Sequence, residues 1–141
     1  MFMKYLLTFC IFTILTTLLT AQVSKTINVQ TAGTLTTMLS ATEKTTVTEL
    51  TITGKIDASD FKFMQDNLTS LSTLDLTNVS IVEYSGSDVP PPIDPGNLTY
   101  PANEIPHGSF LNNSTLTTSS VALTFNIHLY CIEIQKYRSV L

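Results

Sequence analysis

Apolar residues are distributed along this chain in three distinct ways. Residues 5–20 form one nearly continuous apolar run, broken only by Thr and Cys, with Lys4 just ahead of it. Residues 26–81 carry short strings in which apolar and polar positions alternate, interrupted by two stretches of helical spacing. In residues 121–131, Val121, Leu123, Phe125, Ile127, Leu129 and Cys131 alternate strictly with Ala, Thr, Asn, His and Tyr. Period-2 alternation puts one face of an extended chain against a core, so strands are predicted around residues 26–29, 47–56, 71–81 and 121–131. Phe61, Met64 and Leu68 fall at i, i+3 and i+7, the spacing of one helix face. Asp57 is placed to cap that helix, Asp60 to favour its first turn, and Asn67 to end it in a left-handed conformation. Leu35, Met38 and Leu39 predict one or two further helical turns.

The second and third strand strings are copies of each other. Val47-Thr-Glu-Leu50-Thr-Ile52-Thr-Gly54-Lys-Ile56 is followed by Leu71-Ser-Thr-Leu74-Asp-Leu76-Thr-Asn78-Val79-Ser-Ile81. Val47 matches Leu71, Leu50 matches Leu74 and Ile52 matches Leu76, always at the same separation. Gly54 and Asn78 then read as turn residues. A period of about 24 residues with L-x-x-L-x-L spacing lies in the range of leucine-rich repeats. In such a coil, single strands stack because no one turn can bury its own leucines. The predicted fold class is therefore α/β: a short leucine-rich-repeat solenoid with one strand per repeat plus a short helix or loop, preceded by a signal peptide. Residues 22–45 would be its N-terminal cap and residues 46–118 its repeats. The Pro-rich string at Val89-Pro90-Pro-Pro-Ile-Asp-Pro95-Gly96 breaks both regular structures, so residues 84–106 are read as an exposed inserted loop.

Several of these strings resemble a known family. Thr31-Ala-Gly-Thr-Leu-Thr-Thr-Met-Leu39, Leu50-Thr-Ile-Thr-Gly-Lys-Ile56-Asp-Ala-Ser-Asp-Phe61 and Leu71-Ser-Thr-Leu-Asp-Leu76 look like the N-terminal part of BspA-like leucine-rich repeat proteins. Those are secreted or surface-attached proteins of anaerobic gut and oral bacteria. Glu104-Ile105-Pro106-His-Gly-Ser-Phe110 resembles the start of the family's next repeat, with Ser109 where Ala is usual. The resemblance covers residues 26–118. It implies adhesion to, or binding of, a host or matrix protein or glycan, with no catalytic residues and no cofactor.

The pattern departs from the family after Thr118. Aligning Leu116-Thr-Thr-Ser119-Ser-Val121 on Leu71-Ser-Thr-Leu74-Asp-Leu76 places Ser119 where an inward leucine belongs. Residues 119–141 are thus either a closing β-strand or an aberrant tail left by truncation or a shifted reading frame; truncation is the favoured reading. A non-functional fragment of a longer repeat protein is the corresponding alternative function. The uncharged strand at 121–131 makes self-association an expected liability.

Charge and composition narrow the function. The chain has 141 residues with a net charge of -4, and 24 of its residues are Thr. Without residues 1–21, six basic residues face eleven acidic ones, leaving no basic patch for a nucleic acid backbone. Lys4, the apolar run and the small residue Ala21 together read as a secretory signal peptide. The run is shorter than the ~20 residues of a membrane span, and no basic stop-transfer cluster follows it. Contact with a membrane is expected only through this export signal. An uncleaved anchor is the alternative, because Leu19 is bulky for its distance from Ala21. The expected location is secreted or cell surface.

Candidate chemistry is sparse. Once residues 1–21 are gone, Cys131 is the only thiol, which excludes an intrachain disulfide or a cysteine zinc site. His107 and His128 have no partners at metal-ligand spacing. Asp57 and Asp60 are explained by capping, and no nucleophile-elbow, P-loop or dinucleotide motif is present. Asn-x-Ser/Thr sequons stand at Asn67, Asn78, Asn97, Asn112 and Asn113, though a chain this rich in Thr yields several by chance. No catalytic, cofactor or metal residues are assigned, and an enzyme is not expected. The candidate ligand face is the outward side of the strands: Thr51, Thr73, Asp75 and Thr77. As a first test, N-terminal sequencing of exported protein should begin near Gln22; a stable membrane-inserted product that retains Met1 would overturn the signal-peptide reading.

Overall fold

The computed structural model describes residues 22–90, 99–110 and 113–121. In chain order the elements are β1 (Ser24–Val29), α1 (Leu35–Met38), α2 (Ala41–Thr46), β2 (Glu49–Ile56), α3 (Ala58–Asn67), β3 (Thr73–Ile81), β4 (Tyr84–Ser85), β5 (Thr99–Tyr100) and β6 (Thr118–Val121). The class is α/β. Strands β1, β2, β3 and β6 form one sheet in that order, all parallel, and β4 pairs with β5 in a separate antiparallel ribbon.

The alternation read in the sequence is the alternation of burial. Ile27 and Val29 on β1, Leu50, Ile52 and Ile56 on β2, and Leu74, Leu76, Val79 and Ile81 on β3 are all buried. They join Leu35, Leu39, Phe61, Met64, Leu68, Ile105 and Phe110 in one core cluster. The predicted helix face is therefore correct, and α1 packs against α3. Phe61 meets Phe110 edge to face, with ring centroids 6.1 Å apart. That contact ties α3 to the segment leading into β6.

The strands stack in a regular register. Ile27 faces Ile52 and Leu50 faces Leu74. Their entrances are linked by backbone steps: Thr48 N and Glu49 N donate to Val23 O, Ser72 N and Thr73 N to Thr48 O, and Thr117 N to Ser72 O. Small hydroxyl residues reinforce each step, with Thr48 Oγ1 accepting from Val23 N and Ser72 Oγ donating to Thr48 O, both at 2.9 Å. A short side chain with both a donor and an acceptor can satisfy backbone groups that the ladder leaves over at its end. The alignment of Ser119 on Leu74 is the observed pairing, and it makes β6 the next strand after β3. Only Val121 of the alternating string 121–131 falls within the described residues. The N-terminal residues 1–21 lie outside them as well.

The period is not uniform, and this corrects the role given to Gly54 and Asn78. The pairing of β2 with β3 keeps one register up to Thr51 and Asp75, then slips by a single position, so that Thr53 faces Asn78 and Gly54 faces Val79. Thr77 and Asn78 are both exposed while Leu76 and Val79 are both buried. One extra residue in β3 is accommodated as a bulge, which restores the inward direction for Val79 and Ile81. Asn78 thus lies inside a strand rather than in a turn. Gly54 also lies inside its strand, opposite Val29 and Val79. It has φ +92°, and a Cβ there would meet the Val29 carbonyl oxygen at 2.2 Å. The glycine is needed for this close approach of two backbones, not for chain reversal.

Capping fixes the helices. Asp57 Oδ1 accepts from Ser59 N and Asp60 N, and the Asp60 carboxylate reaches back to Asp57 N, completing a capping box. Asp60 does more than the sequence suggests. Its buried carboxylate also accepts from Gly33 N at 2.7 Å and Leu35 N at 3.0 Å, fastening the turn before α1 to the start of α3. Burial raises its pKa above the ordinary value, and the three backbone N–H donors only partly oppose that shift. A second box, Ser40 with Glu43, starts α2. Glu43 also pairs with Lys25 of β1, and its pKa is lowered to about 2, first by the Lys25 hydrogen bond and then by Ser40. The predicted left-handed stop at Asn67 is not adopted. Asn67 is the last helical residue, and its amide donates to Phe63 O, which satisfies a terminal carbonyl without a left-handed residue.

The inserted segment is likewise less open than its prolines implied. Val89 and Pro90 are buried, and β4 and β5 form a short ribbon with Tyr84 against Tyr100. Residues 91–98 are outside the described set. The segment returns to the sheet where Asn103 N donates to Ile81 O and Ile105 enters the core.

Two outcomes follow for stability. Gly54→Ala should cost at least about 2 kcal/mol in denaturant unfolding, from a strained φ and a contact with rigid backbone. Asp60→Asn places an amide among N–H donors and should cost about 1–3 kcal/mol at neutral pH. Because the folded-state pKa of Asp60 is raised, the folded protein binds its proton more readily than the unfolded chain does. Acidification from neutral toward about pH 4 should therefore shift the stability difference in favour of wild type over Asp60→Asn. A pH-independent difference between the two proteins would refute this assignment.

Candidate ligand face

Burying alternate residues of β1, β2 and β3 sends the others to the opposite side of the sheet. The register arranges them in rows that cross the strands. Ser24, Glu49 and Thr73 form one row; Thr26, Thr51 and Asp75 form the next. Asn28, Thr53 and Asn78 follow, and then Lys55 beside Ser80. Neighbouring strands lie ~4.8 Å apart, so adjacent members of a row are within reach of a single bound group. No aromatic residue occurs in any of these three strands.

The four residues singled out from the sequence are brought onto this surface. Thr51 stands directly beside Asp75, and Thr73 lies beside Glu49. Thr77 is exposed at the bulge, where it is captured by Asp75: Thr77 N donates to Asp75 Oδ1 at 2.9 Å and Thr77 Oγ1 donates to the same oxygen at 2.5 Å. These two bonds, the hydroxyl one first, lower the pKa of Asp75. The carboxylate is thereby held ionised and pinned to its own strand. Asp75 and Thr77 act as one unit on β3, with Thr51 beside Asp75 on β2 and Thr73 two residues before it on the same strand.

Sequence reasoning missed the Asn28, Thr53 and Asn78 row. The signal was present, since Thr53 lies as far beyond Asn28 as Asn78 lies beyond Thr53. That spacing is one position longer than the separation of Leu50 from Leu74, so the leucine repeat hides it. Only the bulge in β3 brings Asn78 opposite Thr53.

The carboxylates proposed as caps serve as caps, and Asp60 holds Gly33 and Leu35 as well. Asp57 and Asp60 are committed to backbone N–H groups, so they do not form an acid–base pair facing solvent. Among the described residues no group of three or more His, Cys, Asp or Glu could hold a metal ion, and no helix is long and apolar enough to cross a membrane. His128 and Cys131 lie outside the described residues. No protein-family model matches the chain, and no curated protein matches it.

Proposed function

We propose that the chain is a secreted or cell-surface binding module built as a short leucine-rich-repeat solenoid, and that it contacts a protein or glycan through its strand face. The observation that carries this reading is the ordered polar surface on one side of β1, β2 and β3. The parallel stacking of successive strands, each supplied by the next copy of the pattern, supports the repeat architecture and fits the resemblance to BspA-like proteins. In this reading residues 22–45 are the first turn of the coil and close its end. The face contains hydroxyls, amides and a few charges rather than a reactive centre, which suits broad contact of modest affinity and no catalytic role. Export by the segment at 1–21 would place that face outside the cell.

A second reading is favoured by one observation. Ser119 occupies the position paired with Leu74, where β2 carries Leu50 and β1 carries Lys25. A repeat that loses its leucine at this position supports a fragment of a longer repeat protein, interrupted beyond Thr118.

The strand-face reading is tested with the full chain applied to immobilised extracellular-matrix proteins and glycans. Thr73→Lys combined with Asp75→Lys should weaken retention about tenfold, the equivalent of about 1.4 kcal/mol. The melting transition should fall only modestly, because neither side chain belongs to the core and the loss is the exposed pair of hydrogen bonds from Thr77 to Asp75. Undiminished retention would move the site off this surface, with the insert at 84–106 as the next candidate.

A further inference from the structure

The row formed by Asn28, Thr53 and Asn78 is distinct from the Thr51, Thr73, Asp75 and Thr77 group and has its own chemistry. Asn28 and Asn78 are exposed, with Thr53 half-buried between them. Asn28 Nδ2 donates to Thr53 Oγ1 at 2.8 Å, and Gln30 Nε2 donates to Asn28 Oδ1. These contacts orient the amide of Asn28 across the strands. They leave its second N–H and the Thr53 hydroxyl proton available, while the amide of Asn78 makes no hydrogen bond among the described residues.

We infer that this row is a subsite for an extended, uncharged polysaccharide lying across the strands. The inference rests on the strand-face reading and narrows its ligand class. Sugar hydroxyls both donate and accept, and a row of amides and hydroxyls offers both functions, whereas a carboxylate row would only accept. The row itself is neutral, which matches an uncharged polymer. Glu49 and Asp75 on the rows to one side would repel an anionic polymer, opposed by the single cation Lys55 in the row on the other side. Hot spots of protein interfaces are enriched in Trp, Tyr and Arg, and these three strands contain none of them. A repeating polymer has a different source of affinity. Its successive units can meet the successive strands, at ~4.8 Å intervals, with weak contacts that add along the chain.

The test is affinity electrophoresis of the full chain through gels holding a soluble mixed-linkage β-glucan, a galactomannan or polygalacturonate. Retardation is expected in at least one of the two neutral gels. Asn28→Ala with Asn78→Ala should weaken it about tenfold, with unchanged melting, since both side chains are exposed. Thr53→Val, which keeps the shape and removes the hydroxyl, should weaken it in the same direction. Retardation by polygalacturonate alone, or by none of the three, overturns the inference and leaves open a protein ligand for the strand face. Retardation that survives Asn28→Ala with Asn78→Ala but is lost in Thr73→Lys with Asp75→Lys also overturns it while upholding the strand face. Retardation unaffected by either double variant overturns both.

Discussion

Every other feature of this protein depends on one constraint: no single strand can bury its own apolar side. Leu50 and Ile52 are sealed because Ile27 on one neighbour and Leu74 on the other stand beside them in register. Burying a Leu or Ile side chain is worth about 1.5–3 kcal/mol, which is small beside the entropy of ordering a whole strand with its connection. Layers must therefore share their core surfaces, and sharing requires the same register at each junction. The backbone steps from Val23 to Thr48, Ser72 and Thr117 set that register at the strand entrances, while Asp60 fastens the first layer to the helix of the second.

Keeping that register over uneven lengths of chain requires local departures. β3 has one residue more than its neighbour at the bulge, and Thr77 and Asn78 turn outward together to absorb it. β2 answers with Gly54, whose missing side chain lets the Val29 backbone approach. The same adjustment shapes the outer surface. It sets Asn78 beside Thr53, and it places Thr77 where its backbone and hydroxyl can both reach Asp75. The irregularity of the core thus becomes the pattern of the face.

The polar groups divide into two uses according to where they lie. At the helix starts, Asp57, Asp60, Ser40 and Glu43 are consumed by orphan N–H groups, so carboxylates that look like candidate chemistry in the sequence have structural partners. On the open side of the sheet, side chains bond mainly to one another and still present hydrogens and lone pairs outward. The outward groups are thus many, weak and periodically placed, with no reactive centre among the residues of these three strands.

The sequence by itself determined the local elements and their inward faces. Alternation at Leu50, Ile52, Leu74 and Leu76 marked the strands, Phe61, Met64 and Leu68 marked the buried side of α3, and Asp57 with Asp60 marked its start. Each of these is a short-range consequence of period and capping, so neighbouring residues suffice to reveal it. The alignment of Ser119 on Leu74 was legible for a related reason, since it follows from a repeated spacing. The tertiary structure alone decided what depends on exact register and on groups distant in the chain. The bulge at Thr77 and Asn78, the strand position of Gly54 and the clasp from Asp60 to Gly33 and Leu35 belong here, as do the burial of Val89 and the amide row across β1, β2 and β3. A shift of one residue in a strand leaves its composition unchanged but reverses which side chains face the core. Only the packed layers fix that choice.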